Sequence, residues 1–305
     1  MDRADMIYDL STIWASVKEV FPYFDRLTFD WDELYRSYLV KVLSVRDEEE
    51  FHRLLSSFVE SLNDGHTKYI PPEAFRKAEP FVSPDAPSFT LRENILTIQL
   101  NDFLSDHAPL VKDLLESNPD VSLVVLDIRD NIGGNTFYAA NVAQLFLSGV
   151  FHGCRKWTQT RRAIDVASAS QLVGFSEEQL QRYIKDGLLT QEEVADAEQE
   201  MLHTKYETYT DTYGSEDHTA VYEGPLQILI SRKTVSAAED FTAMFKTSHR
   251  AVLVGEPTFG STGTHCIIRL RCGGRAQIVS VGYRLLDGTD FIGKGIMPDL
   301  FSGGN

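Results

Sequence analysis

Apolar positions in the first seventy residues recur at helical spacing. Ile7, Leu10, Trp14, Val17 and Phe21 form one stripe, which Pro22 ends. Asp30-Trp31-Asp32-Glu33 reads as the start of a second helix, in which Asp30 accepts from first-turn amides and Leu34, Tyr38 and Val42 mark the buried side. In a third, Phe51, Leu54, Leu55, Phe58, Val59 and Leu62 keep one face apolar. That run leads into Asn63-Asp64-Gly65-His66-Thr67, where Gly65 is expected to stop the helix in a left-handed conformation. After a Pro-containing stretch from Pro71 to Pro87 the period changes. Short runs rich in β-branched residues predict strands at Ile95–Leu100, Leu123–Ile128, Leu226–Ile230, Ala251–Val254, Cys266–Leu270 and Gln277–Tyr283. Helices are predicted at Ala108–Glu116, Phe137–Leu147 and Ala237–Thr247. Strands alternating with helices imply βαβ units and a buried, largely parallel sheet, so the fold class expected is α/β.

Between Gly153 and Gly224 the pattern becomes polar, and an insertion that is mostly helical is expected over 153–224. Ser176-Glu-Glu-Gln179 and Thr190-Gln-Glu-Glu193 each fit a capping box within it. The partition read from the chain is therefore a helical bundle over 1–75 and a core over 76–305.

Composition narrows the partners. Against 29 Lys and Arg stand 45 Asp and Glu, a net charge of −16 over 305 residues, so a nucleic-acid backbone would be repelled. Much of the acid lies in the bundle and in 176–207, a solvated coat. No stretch is apolar for long enough to span a membrane. The opening MDRADMIYDL has neither a basic start nor an apolar run, so no secretory signal is read there. Three cysteines, Cys154, Cys266 and Cys272, are too few for a disulfide framework and fit a reducing, cytoplasmic setting. Cys266 and Cys272, six apart in CIIRLRC, are expected on one face of a strand. No metal-ligand spacing occurs, so neither a metal nor a cofactor is expected. An oligomer is left open.

Three local features could carry chemistry. In Lys233-Thr-Val-Ser-Ala-Ala-Glu239, Ser236 follows a buried strand and opens a helix. A serine there either caps the helix or serves as a nucleophile beside first-turn amides. Asp127-Ile-Arg-Asp-Asn-Ile-Gly133-Gly134-Asn135 follows the most apolar strand and precedes a helix, where open α/β sheets place ligands. Its adjacent glycines can turn an amide toward a substrate oxygen or simply make a tight turn. It matches neither the dinucleotide nor the Walker A pattern. His66, in the turn after the third helix, is either structural or a base suited to neutral pH.

Taken in order, LNDGHT, VVLDIRDNIGGN, KTVSAAED, VGEPTFGSTG and GIMPD resemble the tail-specific (C-terminal-processing) serine peptidases, and among them the branch of the tricorn core and the retinoid-binding-protein relatives. The resemblance runs from about Ile7 to Leu300. It implies a crotonase-like (ClpP/crotonase) core and hydrolysis of peptides or unstructured protein tails through an acyl-enzyme. On that mapping Ser236 is the nucleophile, and the Gly133 or Gly134 amide with that of Ala237 forms an oxyanion hole. Members with a Ser/Lys dyad carry lysine after TFG and glutamine four residues on. Here those positions hold Ser261 and His265, so the lysine base is missing. The tricorn-like branch uses a histidine in the DGHT segment, which makes His66 the general base and His265 the reserve. The carboxylate that branch places before GIxPD is Ile292 here, leaving Asp290, Glu239 or Asp64 to orient the imidazole. Many relatives insert a PDZ domain after DGHT. The spacing from Thr67 to the next strand is too short for one, so specificity is expected from elsewhere.

Two rivals use the same scaffold. One is a catalytically weak or inactive protein that binds an apolar ligand, prompted by the missing acid and lysine. The other is an acyl-CoA enzyme using Gly133 and Gly134 as its oxyanion hole.

Overall fold

The computed structural model describes residues 1–76, 87–158 and 208–302, and of the stretch 159–207 only residues 181, 184, 185 and 190. The helices expected at Ser176-Glu-Glu-Gln179 and onward from Thr190 lie outside the described residues. The chain is mixed α/β and divides into two compact units, each woven from separate stretches of sequence.

The first unit comprises 1–79, 157–208 and 263–282. Helices α1 (Arg3–Val20), α2 (Trp31–Ser44) and α3 (Glu48–Glu60) form where the stripes predict them, although α1 buries Met6, Ile13 and Val20 beside Leu10 and Val17 and leaves Ile7 and Trp14 half-buried. Asp30 caps α2 as expected, accepting from the amides of Asp32 and Glu33. Leu10, Ile13, Val17, Phe51, Leu55 and Phe58 are fully buried, and Trp31 stacks on Phe58 with ring centroids 4.5 Å apart. Strand β1 (Lys68–Ile70) follows and a short α4 (Pro72–Arg76) comes after it. β1 pairs antiparallel with a hairpin from the far end of the chain, in the order β1–β10–β9, where β9 is His265–Arg269 and β10 is Arg275–Val279. Buried Asp9 on α1 grips that hairpin's turn, accepting from the amides of Arg271 and Cys272 at 2.8 Å each. Residues 263–282 thus fold with the N-terminal helices, a departure from the 1–75 and 76–305 partition that only long-range pairing reveals.

Two expectations change here. Asn63 (φ +50°), and not Gly65, takes the left-handed position after α3, a conformation Asn tolerates better than other residues with a side chain. Cys272 lies in the hairpin turn beyond β9, so it does not share a strand face with Cys266.

The second unit comprises 80–156, 209–262 and 283–305. Its main sheet has the order β12–β8–β7–β4–β3–β2. The strands are β2 (Ser88–Arg92), β3 (Ile95–Gln99), β4 (Leu123–Asp127), β7 (Leu226–Ile230), β8 (Val252–Gly255) and β12 (Leu300–Phe301). All pairings are parallel except that of β2 with β3. Helices α5 (Ala108–Ser117), α6 (Thr136–Ala143) and α7 (Ala237–Ser248) serve as connections, and Ala237 to Phe245 of α7 are buried throughout. A smaller sheet has the order β11–β5–β6, with β5 (Phe151–Trp157), β6 (Thr208–Tyr213) and β11 (Gly282–Arg284). So the described ends of the 153–224 insertion are strands, not helices, and the run Gln277–Tyr283 splits into β10 and β11. Among the described residues no helix is long and apolar enough to cross a membrane.

Candidate active site

Ser236 lies where β7 gives way to α7, in a turn sewn to the loop after β4. Fully buried Thr234 donates its hydroxyl to the Ile128 carbonyl (2.9 Å) and accepts the Ser231 amide (3.0 Å). Ser231 donates its own hydroxyl to the Arg129 carbonyl, and the Val235 amide donates to the Asn131 carbonyl. With its neighbours fixed, Ser236 adopts φ +62°, ψ −130°, a conformation that costs a side-chain-bearing residue about 1–3 kcal/mol. Its amide donates to the Ser261 carbonyl (2.9 Å), and its carbonyl accepts from the amides of Glu239 (2.7 Å) and Asp240 (3.2 Å). The hydroxyl makes no capping bond, although Ser236 occupies the N-cap position. This overturns the reading of Ser236 as a side-chain cap: the positive φ turns Cβ away from the first-turn amides. A strained, half-buried serine at a strand-to-helix turn is the arrangement that presents a nucleophile. Ala237, the first helical residue, has an amide with no acceptor inside the helix.

The two glycines differ in what they do. Gly133 (φ +85°) packs against the serine, since a Cβ built on it would lie 2.5 Å from Ser236 Cβ and 2.7 Å from the Val235 carbonyl oxygen. Its amide donates to Asn131 Oδ1 (2.9 Å), so it is occupied inside the loop. Gly134 (φ +143°) is pressed against Phe103, whose carbonyl carbon and oxygen would each be 2.4 Å from an added Cβ. Phe103 donates its amide to the Gly133 carbonyl and accepts the Asn135 amide, both at 2.8 Å, which fixes the peptide planes on either side of Gly134. Of the two glycine amides, that of Gly134 remains for a ligand. Gly133→Ala places a methyl into the Ser236 side chain and an L-residue at positive φ. We expect kcat/KM to fall at least about a hundredfold, the scale set by a 1 Å displacement of a reacting group. A steady-state assay beside a thermal melt of the same variant checks it.

Sequence reasoning missed the buried polar groups that hold this turn. Asn131, fully buried, bridges three segments: Nδ2 donates to Leu100, Oδ1 accepts from Gly133 and the carbonyl accepts from Val235. The only available cue was its place two residues before a glycine pair, where Asn side chains accept backbone amides. Asp240 accepts from Thr136 Oγ1 (2.7 Å) and Thr262 Oγ1 (3.0 Å), tying α6 and the 262 loop to α7.

Glu239 is fully buried and grips the loop Thr258–Ser261. Its Oε1 accepts from Thr258 Oγ1 (2.5 Å) and the Gly260 amide (2.8 Å), and its Oε2 from the Ser261 amide (2.6 Å). Because the Ser261 carbonyl holds the Ser236 amide, Glu239 acts on the serine through this loop. Burial pushes its carboxyl up to about 7 against the opposing pull of the three donors. A carboxyl whose folded pKa exceeds its unfolded value contributes stability at low pH that is lost as pH rises, here between about 4.5 and 7. Glu239→Gln removes that dependence. Urea midpoints at pH 5 and pH 8 are expected to show the variant gaining on wild type by up to about 3 kcal/mol across that interval. Equal gaps at both pH values would contradict the assignment. Asp290, the other candidate acid of this unit, accepts the Ile292 amide at 3.2 Å.

In the first unit, His66 opens the approach to β1. Asp64 Oδ1 accepts the amides of His66 (3.0 Å) and Thr67 (2.8 Å), Thr67 Oγ1 accepts the Val279 amide, and Gln277 Nε2 donates to the His66 carbonyl. The same strand β10 pairs Val279 with His265 of β9. Burial holds the His66 imidazole below 6.5; nearby Asp64 raises it, while His265 and Lys68 lower it. His265 is lowered for the same first reason, burial. The structure therefore groups Ser236, Ala237, Gly133 and Glu239 in one unit, and His66, Asp64 and His265 in the other. Among the described residues no group of three or more His, Cys, Asp or Glu side chains could hold a metal ion.

Comparison with known proteins adds two family models. That of peptidase family S41 matches residues 94–301, and that of the tricorn protease C1 domain matches residues 2–60. The chloroplastic C-terminal processing peptidase of Tetradesmus obliquus is 29% identical over 90 residues, which cover 30% of this chain and 19% of that protein. The match thus spans about a fifth of the length of that curated relative. A crystal structure from Parabacteroides merdae is alike in fold, with TM-score 0.69, 16% identity and coverage of 99% of this chain and 90% of that one. The photosystem II D1 C-terminal processing protease gives TM-score 0.61 at 14% identity, covering 98% and 93%.

Proposed function

The chain belongs to peptidase family S41, and on that basis we propose that it is a serine peptidase that cleaves peptides or unstructured protein tails. One observation carries the reading: Ser236 is held at positive φ with its hydroxyl withheld from the helix cap. In this reading Ser236 Oγ attacks the scissile carbonyl while His66 takes its proton, and the imidazolium then returns that proton to the leaving amine. The developing oxyanion is received by the amides of Gly134 and Ala237. Asp64 orients and tunes His66, a role favoured over Asp290 and Glu239 by its electrostatic pull on that imidazole. Glu239, with both oxygens engaged by the 258–261 loop, sets the position of Ser236 instead.

The finer architecture belongs to the same proposal: a crotonase-like core, an N-terminal helical bundle, and no PDZ domain between Thr67 and the core. A reducing, cytoplasmic setting is part of the same proposal, resting on the small number of cysteines in the sequence. The test is incubation with a reduced, alkylated protein and detection of new termini by mass spectrometry. Discrete cleavage is expected. Absence of cleavage together with a melting temperature that climbs with an apolar ligand would favour the rival, a binding protein on this scaffold.

A further inference from the structure

Resting on the peptidase reading, we propose that Asp102 and His107 are positioning residues for the oxyanion. The buried pair fixes the loop 101–107 and, through it, the direction in which the Gly134 amide points. That loop runs beside the glycine segment and extends the parallel pairing of β3 with β4. The Ile132 amide donates to the Asn101 carbonyl (3.1 Å), the Phe103 amide to the Gly133 carbonyl and the Asn135 amide to the Phe103 carbonyl (2.8 Å each). Phe103 is fully buried, and its ring centroid lies 5.3 Å from that of Phe241 on α7, the helix that opens with Ala237. Phe103 therefore touches both elements that supply an oxyanion amide.

Two side chains hold the turn around Phe103. Asp102 Oδ1 accepts the Leu104 amide (2.9 Å), and His107 Nε2 donates to the same oxygen (3.3 Å). Asp102 is 1% exposed and His107 9%. Burying a carboxylate is costly unless donors hold it, and the turn alone does not call for one, since an Asn side chain accepts the amide two residues on as well. What the carboxylate adds is a stronger acceptor for His107. The helix start does not need the histidine either. His107 is the N-cap of α5 but makes no capping bond, whereas Asp106 Oδ1 accepts the Ala108 amide (3.1 Å). Asp106 Oδ2 accepts from Asn141 of α6 (2.8 Å), so the far end of the loop is tied to the helix that opens just after Gly134 and Asn135. The imidazole is left to fix Asp102. An amide stabilises developing charge only when it is aimed at the oxygen beforehand, and losing one such donor costs about a hundredfold to a thousandfold in kcat.

The test compares Asp102→Ala, His107→Ala and His107→Gln with wild type, using a fluorogenic peptide built on a site cleaved in the alkylated protein and the peptide aldehyde of the same sequence. In the aldehyde adduct Ser236 Oγ bonds to the carbonyl carbon, the C=O electron pair moves to the oxygen received by Gly134 and Ala237, and the hydroxyl proton passes to His66. Both alanine variants are expected to lower kcat at least about tenfold, with KM within about threefold of wild type and aldehyde affinity falling in step with kcat. His107→Gln, whose side-chain amide can donate to Asp102, should recover most of the loss. A merely structural role would lower the melting temperature without separating kcat from KM. Melting curves show which variants fold, and His107→Ala, which leaves the bond from Leu104 to Asp102 in place, carries the test if Asp102→Ala does not fold. Folded alanine variants with kcat within about twofold of wild type would overturn the positioning role alone. So would a fall in kcat with aldehyde affinity unchanged, or a His107→Gln enzyme as slow as His107→Ala. A wild-type protein that cleaves no site and binds no aldehyde would remove the peptidase reading and this role with it.

Discussion

Ser236→Ala lowers kcat for peptide hydrolysis by roughly a hundred-thousandfold to a millionfold, the loss typical of removing a serine nucleophile. The fold should survive. The hydroxyl makes no capping bond in α7, so its removal strips nothing from the helix start, whereas loss of a true cap costs about 1 kcal/mol. The backbone bonds that force the turn, from the Ser236 amide to Ser261 and from Glu239 and Asp240 to the Ser236 carbonyl, are unaffected. The expected pair of results is therefore activity near background with a melting curve like that of wild type. If the variant loses the fold along with activity, Ser236 is structural. If it keeps activity, the nucleophile lies elsewhere.

His66→Ala is expected to lower kcat by roughly ten-thousandfold and also to erase the acid limb of the pH profile. The sign follows from the role. A general base works only when neutral, so kcat/KM rises with pH through the imidazole pKa. Burial, with Lys68 and His265 nearby, keeps that pKa below 6.5, so the limb should have its midpoint below 6.5 and the plateau should extend through neutrality. Two charge variants move it in opposite directions. Asp64→Asn removes a neighbour that raises the pKa and shifts the limb to lower pH, while Lys68→Ala shifts it to higher pH. The group also affects stability, because the unfolded chain binds a proton more readily than the buried imidazole does. His66 thus lowers stability as pH falls through and below 6.5. A His66→Ala enzyme that keeps the limb would pass the role to His265, which β10 places across from Val279.

The parts of this molecule that were legible in its sequence are those governed by local periodicity. α1, α2 and α3 follow their apolar stripes, and β3, β4 and β7 follow their β-branched runs to within a residue. The strand-to-helix turn that carries Ser236 was legible too, because KTVSAAED follows a buried strand and opens a helix. What stayed hidden depends on contacts remote in sequence. Whether Ser236 caps α7 was open until its φ was known, and the turn is held there by Ile128, Asn131 and Ser261, all outside its own segment. Gly133 and Gly134 looked equivalent, yet a single Asn131 side chain occupies one of their amides. β1 and β5 were missed because Lys68-Tyr-Ile70 is too short and Phe151-His-Gly-Cys-Arg-Lys-Trp157 too polar to announce a strand. β1 owes its pairing to residues 275–277, some two hundred positions away. Asp9, a charged residue inside an apolar stripe, gave no sign that it would anchor the turn at Arg271 and Cys272.

The central claim is that Ser236 is a nucleophile and not a structural serine. Incubation of the wild-type protein with a serine-directed phosphonate, followed by digestion and peptide mapping, tests it most directly. The account predicts one phosphonylated residue, Ser236, in the peptide containing Thr-Val-Ser-Ala-Ala, and no adduct in Ser236→Ala. An unlabelled Ser236 in wild type, or equal labelling of wild type and Ser236→Ala at another residue, would contradict it.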